Sequence, residues 1–132
     1  MEQVTKIPRK HGKAVLIVDD NPAIRRELKS LFLSDGFSIC GEAGNGKEAV
    51  DLARKLTPDL IILDLSMPVM NGLEAAPQLR VVFPTAPIIL LTMYATSVVA
   101  EQAKQAGIAR VLSKTERPQN ILAQAHAVLH MI

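Results

Sequence analysis

Three aspartates, a threonine and a lysine are the residues of this chain whose types and spacing could do chemistry together: Asp19, Asp20, Asp64, Thr92 and Lys114. Each stands at or just beyond the end of a short apolar run. Carboxylates crowded at one edge repel each other unless a cation binds among them. Hard oxygen ligands with no adjacent His or Cys suit Mg2+ better than zinc. A carboxylate, a divalent ion and a lysine at one site suggest phosphoryl transfer, in which positioning and charge stabilisation supply most of the catalysis. On this reading Asp64 is the nucleophile and forms an acyl phosphate. Asp19, Asp20 and Asp64 hold the Mg2+, and Lys114 adds a point charge to the phosphate. The Thr92 hydroxyl then donates to a phosphate oxygen and acts as the sensor. Singly, each residue has a structural explanation: a helix cap for Asp20, loop amides for Asp64, a turn hydroxyl for Thr92, a solvated surface for Lys114. The joint pattern is what favours function.

The elements that must position these residues are legible as alternating segments. Ala14 to Val18, Phe37 to Gly41, Leu60 to Leu63, Pro87 to Leu91 and Arg110 to Leu112 read as strands. The Leu60 to Leu63 and Ile88 to Leu91 runs are continuously apolar, as strands covered on both faces should be. Between them lie segments with helical spacing. Asn21 is a candidate N-cap, Pro22 fits the first helical position, and Ile24, Leu28, Leu31 and Phe32 share a face before Gly36 closes the helix. Further helices are predicted over about Gly46 to Lys55, Gly72 to Val82, Ser97 to Gln105 and Pro118 to His130. Strict alternation predicts an α/β fold with a doubly wound parallel sheet and right-handed crossovers. Ligands of such sheets sit outside the carboxyl ends of the strands, and four of the five predicted strands deliver a polar group there.

Size and composition narrow the classes further. With 132 residues, 48% of them apolar and 21% charged, one globular domain with one main core is expected. No apolar run approaches the ~18 residues of a membrane helix. The first residues do not lead into a secretory h-region, and the single Cys40 permits no internal disulfide, which together point to the cytoplasm. The net charge is +2, yet Lys6, Arg9, Lys10 and Lys13 against Glu2 make residues 1–13 alone +3, leaving −1 for the rest. Residues 1–13 therefore read as a flexible basic tail and 14–132 as the folded domain, without the clustered basic face of a nucleic-acid binder. His126 and His130 stand at i, i+4 near the end of the last helix, a spacing that can bind zinc. With no third ligand evident nearby in sequence, a surface or packing role is expected for them, and a small core role for Cys40.

Four segments resemble the receiver domain of response regulators: Val15 to Pro22 (VLIVDDNP), Asp59 to Gly72 (DLIILDLSMPVMNG), Leu90 to Met93 (LLTM) and Val111 to Lys114 (VLSK). The resemblance spans roughly Ala14 to Met131. It implies a five-stranded parallel sheet in the order 2-1-3-4-5, the flavodoxin-like arrangement for which such a receiver is a stock example. It implies that Asp64 is the phosphoacceptor and that Asp19, Asp20 and Asp64 hold Mg2+ with the backbone carbonyl of Ser66. Thr92 and Lys114 then read the phosphate. A histidine kinase or histidine phosphotransfer protein is implied as the donor, and the face around helix 4, strand 5 and helix 5 as the contact for an output domain, a target protein or a second copy of the chain. The surroundings of Thr92 and Lys114 are similar to receivers that precede a helix-turn-helix domain, which leaves a single-domain regulator and an excised fragment both open.

The chain departs from the family pattern at three places. Val111 stands where a switching Tyr or Phe is common, and Thr115 follows Lys114 where a cis proline is common, which leaves both a cis and a trans bond open there, cis costing ~3 kcal/mol without proline. Pro77 lies about one turn into the third helix, where it should delay or kink the helix start. Tyr94, beyond Thr92, either leans over the rim and shields the acyl phosphate from water or packs on the fourth helix. Two rivals to a phosphorylation switch are a magnesium-dependent phosphohydrolase, for which Leu65 and Ser66 supply no second acid or base, and a binding module without phosphorylation, against which the retained site residues argue.

Overall fold

The computed structural model describes residues 12–130. Their order is β1 (Ala14–Val18), α1 (Pro22–Ser34), β2 (Ser38–Ala43), α2 (Gly46–Lys55), β3 (Leu60–Asp64), α3 (Gly72–Val82), β4 (Ile88–Thr92), α4 (Ser97–Gln105), β5 (Arg110–Ser113) and α5 (Pro118–Leu129). The basic tail expected over residues 1–13 lies almost wholly outside the described residues. No helix among the described residues is long and apolar enough to cross a membrane.

All neighbouring strands pair in parallel, in the order β2-β1-β3-β4-β5. Alternate side chains of one strand point to opposite faces, and the core divides accordingly. Leu16, Val18, Ile61, Leu63, Ile88 and Leu90 face α2, α3 and α4. Val15, Ile17, Leu60, Ile62, Ile89 and Leu91 face α1 and α5. On the latter side Phe32 and Phe37 meet edge to face, with ring centroids 5.1 Å apart.

Helix starts are set by local side-chain chemistry. Asn21 accepts hydrogen bonds from the Ala23 and Ile24 amides at the head of α1, with Pro22 in the first turn. Asn71 and Glu74 form a reciprocal capping box at α3. That box fixes the start at Gly72, so Pro77 does not delay the helix: α3 runs through it to Val82, with Ala75, Ala76 and Leu79 buried against the sheet to hold it. Strand β2 begins one residue later than predicted and continues to Ala43, with a register irregularity against β1 between Val15 and Leu16. Cys40, expected in the core, is only half-buried on this edge strand, and its burial pushes the thiol pKa up. The Lys114–Thr115 bond is trans, as is every described peptide bond.

Candidate functional site

Strands β1, β3, β4 and β5 run in one direction, so their carboxyl ends share a rim. Asp19 follows β1, while Asp64, Thr92 and Ser113 are the last residues of β3, β4 and β5. Lys114 then turns back across the sheet: its backbone N–H donates to the Thr92 carbonyl at 3.0 Å. Its Nζ lies 2.8 Å from Asp19 Oδ2 and 3.1 Å from Asp64 Oδ1. One ammonium thus bridges two buried carboxylates, Asp19 at 1% and Asp64 at 4% exposure. Asp20 is exposed, and one oxygen each from Asp19, Asp20 and Asp64 lie within 4.8 Å of one another.

The remaining contacts hold these groups in place. Asp19 Oδ1 accepts from the Asn21 amide at 2.9 Å, which ties the acid to the head of α1. Asp64 accepts from the Ser66 amide. Thr92 is 1% exposed, and its Oγ1 accepts from the Tyr94 amide at 2.9 Å, an arrangement that leaves its own proton to donate elsewhere. The β3–α3 loop returns close under the site: Gly72 N–H donates to Leu65 O at 2.9 Å, and a Cβ on Gly72 would fall 2.3 Å from the Asp64 carbonyl oxygen. Only glycine fits there. In the same loop Met70 N–H bonds the Pro68 carbonyl at 2.7 Å across Val69, whose φ is +70°. This is the strained form of the γ-turn, on a β-branched residue that is 78% exposed.

Electrostatics follow from burial and crowding. Burial first, and the charge of Asp19 second, push the Asp64 carboxyl up to about 6, although Lys114 and the Ser66 amide pull the other way. Burial opposes the Lys114 ammonium as well, but its bonds and charge pairing with Asp19 and Asp64 win and raise its pKa. The two partners thus shift in opposite senses of favourability: one lysine satisfies its own charge but does not offset two buried carboxylates. The site carries surplus negative charge, which a cation would relieve.

The structure brings Asp19, Asp20, Asp64 and Lys114 together as the sequence pattern expected, and places Thr92 on the adjoining strand with Ser66 in the loop beyond Asp64. Tyr94 stands in solvent at 64% exposure, so shielding of Asp64 requires its ring to swing inward. Val111 is partly buried against the α2–α4 side of the core. Arg25 was not anticipated. Its Nη1 donates to the Asp19 carbonyl at 2.5 Å and its Nε pairs with Glu42 at 3.1 Å, with Lys29 on the same carboxylate at 2.7 Å. Those two cations hold the Glu42 carboxyl below its ordinary range. Their spacing, i and i+4 on the polar side of α1, was the available signal.

A doubly wound α/β domain with a lysine-bridged acidic cluster at its carboxyl rim is the class that fold and site define. The family model for the response regulator receiver domain matches residues 15–126, and the chain belongs to that family. It is 34% identical over 117 residues to the chemotaxis protein CheY of Thermotoga maritima, covering 89% of this chain and 98% of that one. Other relatives are longer: the chain spans 56% of a Pseudomonas aeruginosa relative and 52% of the nitrate/nitrite response regulator NarL of Escherichia coli. Among solved structures, a LuxR-family two-component response regulator from Aurantimonas superposes with a TM-score of 0.85 at 30% identity, covering 90% of this chain and 86% of that one. A Burkholderia pseudomallei response regulator, solved with a phosphorylated aspartic acid and a calcium ion, superposes with a TM-score of 0.79 at 30% identity, covering 89% and 74%.

Proposed function

We propose that the chain is a phosphorylation switch in which Asp64 takes a phosphoryl group from the phosphohistidine of a kinase or phosphotransfer protein. The observation that carries this is the Lys114 ammonium bridging Asp19 and Asp64 at the carboxyl rim. In the reaction an Asp64 oxygen bonds to phosphorus as the phosphorus–nitrogen bond breaks, and the electron pair leaves with the imidazole. Lys114 stays beside the new acyl phosphate as a counter-charge. The Thr92 hydroxyl donates to a phosphate oxygen, which draws the β4–α4 loop toward the site. The phosphorylated aspartic acid of the Burkholderia relative supports this assignment.

The donor set fits Mg2+: three carboxylates with mutual oxygen distances under 4.8 Å, no nitrogen or sulfur ligand among them, and a surplus of negative charge. Asp19, Asp20, Asp64 and the Ser66 carbonyl would hold it, and when bound it neutralises charge on the transferring oxygens. The readout face is that of α4, β5 and α5, with Val98 exposed on α4 and Met93 and Tyr94 exposed in the β4–α4 loop beside it. The donor protein has a second apolar surface to use. A cleft of about 500 Å³ between α1 and α5, floored by Leu28, Leu91 and Ile121, opens beside Lys114.

Incubation with Mg2+ and a small acyl-phosphate donor, followed by intact mass measurement, tests the proposal. One added phosphoryl group is expected on the wild-type chain and none on Asp64→Asn, because an amide is a poor nucleophile. Labelling that persists in the variant would remove Asp64 from the role.

A further inference from the structure

We propose that Arg25 is a positioning residue for the acidic cluster: its guanidinium fixes the Asp19–Asp20 peptide and so aims the Asp20 carboxylate at the cation, a role that rests on the Mg2+ reading above. Asp19 and Asp64 are buried and bridged by the Lys114 ammonium. Asp20 is exposed, and nothing among the described residues bonds its carboxylate. Its side chain is therefore directed by its backbone, that is, by the peptide planes that flank it. The Asp19 N–H donates to the Ala43 carbonyl at 3.0 Å, so the sheet sets the chain as far as Asp19. The plane between Asp19 and Asp20 carries the Asp19 carbonyl, which accepts from Arg25 Nη1 at 2.5 Å. The plane after Asp20 is held where the Asn21 N–H donates to Asp19 Oδ1 at 2.9 Å. Arg25 thus extends the order of the sheet by one peptide unit, to the residue that needs it.

The arginine is itself held on more than one side. Its backbone N–H donates to the Asn21 carbonyl at 3.1 Å in the first turn of α1, from which the side chain reaches back over the β1–α1 loop. Nε pairs with Glu42 Oε1 at 3.1 Å, and Lys29 Nζ steadies the other oxygen of that carboxylate at 2.7 Å. The turn after β2 closes over the guanidinium: a Cβ on Gly44 would touch Nη1 at 3.7 Å. A planar guanidinium can donate to Glu42 and to the Asp19 carbonyl from two different nitrogens at once, which the single nitrogen of an ammonium cannot. The side chains of Arg25 and Glu42 are 21% and 36% exposed, and pairs so near the surface add little to stability. By charge alone, a cation beside three carboxylates opposes the binding of another cation. By holding the peptide that carries Asp20, the same residue favours it. The two effects have opposite signs.

The test is the Mg2+ affinity of the full chain, read without any phosphoryl donor from the rise of Tm with Mg2+ concentration, for the wild type, Arg25→Met and Arg25→Lys. Arg25→Met keeps the stem and deletes the donors, while Arg25→Lys keeps the charge on one nitrogen. Arg25→Met should weaken Mg2+ binding about tenfold, the lower end of what losing a group that orients a metal ligand costs. Arg25→Lys should weaken it as well. The Mg2+ concentration for half-maximal labelling by a small acyl-phosphate donor should rise in parallel, with the rate at saturating Mg2+ within about twofold of wild type. A merely structural arginine would lower the Tm in chelator and leave the affinity unchanged. A purely electrostatic one would make Arg25→Met bind Mg2+ more tightly and leave Arg25→Lys unchanged. Either result overturns the positioning role while wild-type binding stands; a wild-type chain that binds no Mg2+ would overturn the Mg2+ reading itself, and this role with it.

Discussion

Replacing Asp64 by asparagine should make the metal-free domain more stable, although it removes one side of an ion pair. In the folded chain burial and Asp19 raise the Asp64 carboxyl from its usual 3.8 to about 6 even with Lys114 beside it. At roughly 1.4 kcal/mol per pH unit, that difference means the ionised carboxylate destabilises the fold by about 3 kcal/mol at neutral pH. Asparagine keeps the shape without the charge, and Lys114 retains Asp19 at 2.8 Å, so no buried cation is orphaned. The new amide is not fully matched to its neighbours, and a net gain of about 1–3 kcal/mol, roughly 4–12 °C in Tm for a domain of this size, is expected. The sign follows from proton binding. Between about pH 4 and 6 the folded chain holds a proton that the unfolded chain has released, so this group makes wild-type stability fall as pH rises through that window and level off above it. The variant lacks that fall, and its advantage should be absent below about pH 4 and full above about pH 7. Urea denaturation followed by circular dichroism, with chelator present, measures both chains across the range. Added Mg2+ should favour the wild type again, since the variant has lost one of three carboxylate ligands. A variant no more stable than wild type near pH 8 in chelator, or an advantage that does not change with pH, would refute the reasoning from burial and crowding.

Three further outcomes are expected. Asp20→Asn, at an exposed ligand position, should weaken Mg2+ binding at least tenfold or so while leaving urea stability in chelator unchanged or raised; equal labelling rates at limiting Mg2+ would exclude Asp20 as a ligand. Gly72→Ala forces a Cβ to within 2.3 Å of the Asp64 carbonyl, so it should destabilise the domain by about 2 kcal/mol or more and slow phosphorylation by displacing Asp64; wild-type rates would show that the loop yields freely. Val69→Gly should stabilise by about 1 kcal/mol, because the left-handed strain at φ +70° is relieved and an exposed side chain loses no packing; a loss of stability in the same denaturation assay would show that Val69 makes contacts worth more than the strain.

Much of the site was legible in the sequence because a parallel sheet converts local pattern into position. Once Ala14 to Val18, Leu60 to Leu63 and Ile88 to Leu91 are recognised as strands, their following residues must share a rim, and Asp19, Asp64 and Thr92 fall there without knowledge of any contact. Cap reasoning placed Asn21 and Gly36 at the two ends of α1, since caps act within a few residues; the Asn71–Glu74 box that starts α3 was just as local but went unread, and a delay at Pro77 was expected instead. The strand order came from the resemblance of four segments to receiver domains, for periodicity alone does not say which strands are neighbours.

What only the tertiary structure decided are the pairings that cross long stretches of chain. That one Lys114 ammonium serves both Asp19 and Asp64, and that Arg25 braces the Asp19 carbonyl while holding Glu42, depend on side-chain directions that no local pattern encodes. The raised Asp64 carboxyl depends on burial by residues from several strands. The meeting of Asp35 with His126 needs α1 and α5 on the same face of the sheet. Sequence determines what a residue can donate, accept or cap within a turn or two, because those bonds close over a few peptide units; which distant group it meets is settled by packing, where all the strands and helices bury their apolar faces together.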